Sequence, residues 1–166
     1  MSAKSNISIE GARIGFRNFA GVAGKFNPAG ARNFCVFLDY ELGEVLEQDG
    51  WNVRWLDPRD EEEAKQAYLQ VAANYGTFPP NIVLITRAGK SLLTADTVNI
   101  LDWADIANVD IIIRPYNWDV NGKTGVKAYV KSMYVTLAED EFEGKYKDVP
   151  DSAKNSIVVN NGSESF

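Results

Sequence analysis

A chain of 166 residues with 45% hydrophobic content suits one domain that builds its core without disulfides or metal, and no stretch approaches the roughly 18 consecutive apolar residues of a membrane span. With no histidine and one cysteine, His-based triads, His metal sites and an internal disulfide are excluded together. The formal charge of −6 argues against a nucleic-acid partner unless the charge is unevenly placed.

It is unevenly placed. Residues 1 to 34 hold five basic residues and one acidic, and residues 111 to 137 hold four basic and one acidic. Residues 39 to 63 hold ten acidic and two basic, and the remaining segments are also net negative. If the two positive segments meet in the fold they form a basic stripe on an acidic body, which is what a polyanion groove requires. Scattered solvated charge is the other reading, and charge alone leaves both open.

In chain order, "ISIEGARIGFRNF" alternates Ile7 and Ile9, then resumes with Ala12, Ile14 and Phe16 after Gly11, a phase change that predicts a β-bulge. Past it Arg13, Arg17 and Phe19 share the opposite face. "AGVAGKFNPAGA" is a glycine-rich loop carrying Lys25 and Phe26. "RNFCVFLDY" predicts a second strand with Phe34, Val36 and Leu38 on one side and Cys35 as a buried thiol. "DYELGEVLEQDG" places Leu42, Val45 and Leu46 at helical spacing before a C-capping Gly50. "WNVRWL" follows as a strand that packs Trp51, Val53 and Trp55 on one face and turns Arg54 to the other. The acidic "DPRDEEE" is a solvated loop, and "AYLQVAANYG" and "NIVLITR" are strands separated by "TFPP". "LTADTVNILDWADI" predicts a short helix with Thr94 as N-cap and Val98, Leu101 and Trp103 or Ile106 on its apolar side.

The stretch "IIIRPYNWDVNGKTGVKAYVKSMYVTL", residues 111 to 137, predicts two strands joined by an Asn-Gly turn. Val126, Ala128 and Val130 alternate as a core face, and Met133, Val135 and Leu137 continue it one residue out of phase. A bulge near Lys131 or Ser132 reconciles the two sets and turns Lys127, Tyr129, Lys131 and Tyr134 away from the core. Arg114, Tyr116 and Trp118 share a face of the partner strand. Beyond residue 137 the chain is acidic and polar, and residues 138–166 are expected to be a partly disordered tail.

This order of elements predicts a mainly β protein over residues 1–137: an OB-fold five-stranded barrel with an insertion between strands two and three and a short helix between strands three and four. Such barrels hold oligonucleotides or oligosaccharides on strand faces and loops. A β-sandwich with a capping helix is the alternative.

Cations interleaved with flat rings suit single-stranded nucleic acid, because every base offers a π-face and every phosphate needs a cation, and neither contact reads sequence. The phosphate-neutralising candidates are Arg13, Arg17, Lys25, Arg32, Arg114, Lys123, Lys127 and Lys131. Phe26, Tyr116, Trp118 and Tyr129 are the candidate stacking rings. Ring packing in the core or across strands competes with that reading for Trp118, Tyr129 and Tyr134. "AGKS" at residues 88 to 91 fails as a phosphate loop, since Leu84 stands where the first glycine is required.

"RNFCVFLD", "GWNVRWL" and above all "VDIIIRPYNWDVNGKTGVKAYVKSMYVTL" resemble a family of small proteins encoded by tailed bacteriophages of Gram-positive hosts, regarded as OB-fold single-stranded-DNA-binding proteins. The resemblance runs from about Ile7 to Val149. It implies a phage replication or recombination accessory that coats exposed single strands inside the infected cell. The lone cysteine, the absent histidine and the lack of a long apolar run add the expectation of a cytoplasmic protein that is not an enzyme and needs no cofactor, metal or membrane. The acidic tail is a candidate contact for phage or host replication and recombination proteins. The rival readings are a β-rich interaction or virion component and a carboxylate–metal enzyme.

Overall fold

The computed structural model describes residues 5–139. Among them the strands are β1 (Ile7–Ile9), β2 (Arg13–Asn18), β3 (Asn33–Leu38), β4 (Val53–Leu56), β5 (Gln66–Ala72), β6 (Asn81–Thr86), β7 (Gly89–Leu93), β8 (Ile106–Val120) and β9 (Lys123–Leu137). Helix α1 (Tyr40–Gln48) lies between β3 and β4, and a 3-10 turn (Val98–Asp102) between β7 and β8. No helix among the described residues is long and apolar enough to cross a membrane. The expected tail, from residue 140 onward, falls outside the described residues.

The described strands form one sheet whose main path runs β1-β8-β9-β5-β3-β2, with β4 on β5 and the β6–β7 hairpin on β9. The second edge of β9 is shared along its length: Trp51 bridges Val126, β5 pairs at Ala128 and Tyr129, and β6 pairs from Ser132 to Thr136. The sheet therefore curls around a single core without closing, an OB-like fold rather than a shut five-stranded barrel. The expected short helix is in place, with Val98 and Leu101 buried, while Trp103 is exposed. Strand β7, which includes most of "AGKS", was not expected; it forms a tight hairpin with β6 through the pair Thr86 and Gly89.

Strands β8 and β9 dominate. Each runs fifteen residues, joined by a turn in which Asn121 and Gly122 have φ of 53° and 81°, the left-handed pair that a type I′ hairpin demands. The register passes from Ile112 opposite Ser132 to Ile113 opposite Val130, leaving Lys131 as the extra residue. That bulge lets Val126, Ala128 and Val130 on one side of it and Met133 and Val135 on the other face the same core.

The phase change in the first segment has a different origin from the one expected. Gly11 ends β1, which pairs with β8, and β2 starts afresh against β3. The bulge lies later, between Gly15 and Asn18, where Phe16 adopts φ 47°. The inserted residue reverses the face parity, so Phe16 is exposed while Phe19 is buried and stacked on Phe34 at 4.8 Å. Sequence alternation had placed Phe16 inward with Ile14 and Phe19 outward with Arg13.

Candidate functional site

The outward side of the β8–β9 hairpin, the glycine-rich loop between β2 and β3, and the turn after β5 enclose a groove of about 960 Å³. On the hairpin, Arg114 stands directly across from Tyr129, Tyr116 from Lys127 and Trp118 from Gly125. Directly opposed residues of an antiparallel pair share a face, so these six lie on one surface. The Arg114 guanidinium is 5.0 Å and the Lys127 ammonium 5.2 Å from the Tyr129 ring centre, and Tyr116 meets Tyr129 edge-on at 6.1 Å. Trp118 lies across Gly125, where a Cβ would come within 2.5 Å of its ring. The missing side chain at Gly125 is what lets this indole lie against the strand.

The far wall is the glycine-rich loop. Its shape rests on Asn27, whose side-chain amide donates to the carbonyls of Val22, Pro28 and Ala31 and whose Oδ1 accepts from Asn33. So braced, the loop projects Phe26, 91% exposed, with the Lys25 ammonium 5.4 Å from its ring. Arg32 lines the groove more rigidly: it donates to the Phe19 carbonyl at 2.6 Å and its guanidinium rests 5.8 Å from the Tyr75 ring centre. Tyr75 donates to the Leu93 carbonyl, and burial pushes its hydroxyl up to about 12 against the opposing pull of Arg32.

The two positive segments of the sequence thus meet here in part. Phe26, Arg32, Trp118, Lys127 and Tyr129 line one groove, with Lys25 beside Phe26, and Arg114 and Tyr116 behind Tyr129. Arg114 and Lys131 also line a smaller hollow of about 370 Å³ with Phe78 and Pro79. Lys123 sits exposed beside the hairpin turn. Arg13 and Arg17 are elsewhere. Arg17 donates to the carbonyls of Leu101 and Ala104, both at 2.9 Å, and so braces the end of the 3-10 turn. Arg13 donates to Gln66 and lies 5.4 Å from the Phe37 ring centre.

Sequence reasoning missed Tyr75, Gln70 and Phe78 as groove and hollow residues. Only Phe78 left a usable signal, a large apolar ring set before two prolines in a segment that had to be a surface loop.

A family model described as "Putative phage ssDNA-binding domain" matches residues 1–166. Among curated proteins, none matches the sequence. The single-stranded DNA-binding protein from bacteriophage Enc34 in complex with ssDNA is similar in fold, with a TM-score of 0.54 at 8% identity, covering 82% of this chain and 89% of that one. A further structure of the Enc34 protein gives a TM-score of 0.53 at 11% identity, over 90% of this chain and 89% of that one.

Proposed function

The chain belongs to the phage ssDNA-binding domain family, and from that premise we propose that it coats exposed single strands in the infected cell's cytoplasm during phage replication and recombination, without reading their sequence. The observation that carries this is Tyr129, a ring flanked by the Arg114 and Lys127 cations at the edge of a groove large enough for several nucleotides. A base stacks on such a ring while its neighbouring phosphates meet the cations, and each stacked base contributes roughly 1–3 kcal/mol.

Lys25, Arg32, Arg114, Lys123, Lys127 and Lys131 neutralise phosphates in this reading. Phe26 on its loop and Tyr116, Trp118 and Tyr129 on the hairpin stack bases, with Phe78 as a further ring beside Arg114 and Lys131. The loop and the hairpin face each other across the groove, so a strand between them is held from both sides. No role in it is assigned to Arg17, whose guanidinium serves the 3-10 turn. The groove offers recognition without a reaction, which favours binding over catalysis.

The acidic body has a complementary effect. The exposed run from Asp57 to Glu63 repels a polyanion lying anywhere but the groove, which disfavours broad duplex. The tail, residues 138–166, serves in this reading to recruit replication or recombination proteins. Unchanged recruitment after its deletion would remove that role.

The test is a titration of the protein with oligo-dT, followed by tryptophan fluorescence at several salt concentrations, beside a duplex of equal length. Quenching by the single strand that weakens linearly with log salt is expected, with a slope reduced by about 1 in Lys127→Gln. Equal affinity for the duplex, or no response together with no gel shift, would overturn the reading and favour a protein-binding role for the hairpin.

A further inference from the structure

A second group of rings and cations lies outside the groove, on the outer face of β2, β3, β5 and β4. Strand register sets four side chains in a single row across these strands. Arg54 pairs with Tyr68, Tyr68 with Phe37, and Phe37 with Arg13. The row is thus cation, ring, ring, cation. The Phe37 and Tyr68 rings are 6.4 Å apart, and Phe16 leans against both, at 6.2 and 6.3 Å.

Three features distinguish this row from ordinary packing. Phe16 is 65% exposed, a large apolar ring left mostly in solvent with one side against Phe37 and Tyr68 and the rest of its surface open. It holds that position through φ 47°, a left-handed backbone that is costly for a residue with a side chain and that accumulates at functional sites. Neither Arg13 nor Arg54 has an ion-pair partner among the described residues, despite the many carboxylates on this chain. Gly15 adds the clearance, since a Cβ there would come within 2.8 Å of the Phe37 ring.

The row also adjoins the groove. Gln70, two residues along β5 from Tyr68 and on the same face, lines the groove, as does Asn52, two residues before Arg54. A strand leaving the groove past Gln70 reaches Tyr68 after about 6.6 Å. On the other side of the row, Gln66 opens the segment that follows the acidic run from Asp57 to Glu63, so the favourable surface ends there.

We propose that Phe16, Phe37 and Tyr68, with Arg13 and Arg54 at the ends of their row, form a second stacking platform that extends the groove's hold on the same single strand. The platform rests on the reading of the groove as a single-strand site and adds to it a longer footprint. Short oligonucleotides fill the groove alone; longer ones reach the platform as well.

The experiment is a dT length series from about 4 to about 16 nucleotides, the span of known OB-fold sites. It compares wild type, Tyr129→Ala and the double variant Phe16→Ala/Arg54→Gln, each checked by circular dichroism and melting temperature. For the double variant the gain in affinity from short to long oligonucleotides is expected to shrink at least about fivefold relative to wild type. Affinities equal to wild type at every length, while Tyr129→Ala weakens binding throughout, would overturn the platform and leave the groove standing. Wild-type protein that binds no oligonucleotide overturns both. Arg54→Glu alone, an exposed change that leaves every ring in place, supplies an independent reading: it should flatten the salt slope for long oligonucleotides, and an unchanged slope counts against the platform.

Discussion

Trp51 and Trp118 lie against consecutive residues of β9 and do opposite things. Trp51 bridges Val126 and is 4% exposed; Trp118 stands across from Gly125 and is 37% exposed. Adjacent residues of a strand point to opposite faces, so one indole is sealed into the core and the other lies on the groove. The residue type is the same, and the parity of the β9 position opposite decides whether the ring is buried in the core or lies exposed along the groove. The same rule separates Val126, Ala128 and Val130, all buried, from Lys127 and Tyr129 between them.

The largest effect that would break this contrast is expected for Trp51→Ala. Removing a buried indole should cost about 3–5 kcal/mol, read as a shifted denaturant midpoint. A loss below about 1 kcal/mol would mean that the inner ring is as dispensable to the fold as an outer one. Next in size, Tyr129→Ala should weaken oligo-dT binding by about 1–3 kcal/mol and leave the fold intact. A large drop in melting temperature with binding preserved would instead move Tyr129 to the structural side.

The smallest effect sharpens the boundary between the two sides, where Tyr75 sits half-buried at the groove wall. Its hydroxyl is raised from 10.0 to about 12, so the folded state holds a proton that the unfolded chain gives up earlier. The contribution is fully present below pH 10 and is lost as pH rises from there through about 12. Melting temperature should therefore fall across that window, and less steeply in Tyr75→Phe. Identical alkaline profiles for the two proteins would place Tyr75 among the solvated rings.

Much of the hairpin was legible. Its Asn-Gly turn, the bulge at Lys131 and the outward Lys127 and Tyr129 follow from where the apolar alternation slips by one residue. The bulge of β2 was not, because Gly11 offered a more obvious break and nothing in the residue types marks Phe16 for a left-handed backbone. Among the candidate cations, Lys25 and Lys127 stand beside rings as expected, whereas Arg17 turns to two carbonyls that lie more than eighty positions away in the chain. No local pattern could report that, since the carbonyls it satisfies exist only once the 3-10 turn has packed against β2.

By itself the sequence determined the period-two strands, the turn chemistry of the hairpin, the uneven charge, and a family resemblance that the family model bears out. These are properties of short segments, fixed by sterics and by the alternation of side chains along a strand. Only the tertiary structure decided that the glycine-rich loop faces the hairpin, that Tyr75 and Gln70 line the groove between them, and that Arg54, Tyr68, Phe37 and Arg13 fall into one row. Each depends on register between strands far apart in the chain, which is set by how the whole sheet buries its core rather than by any segment alone.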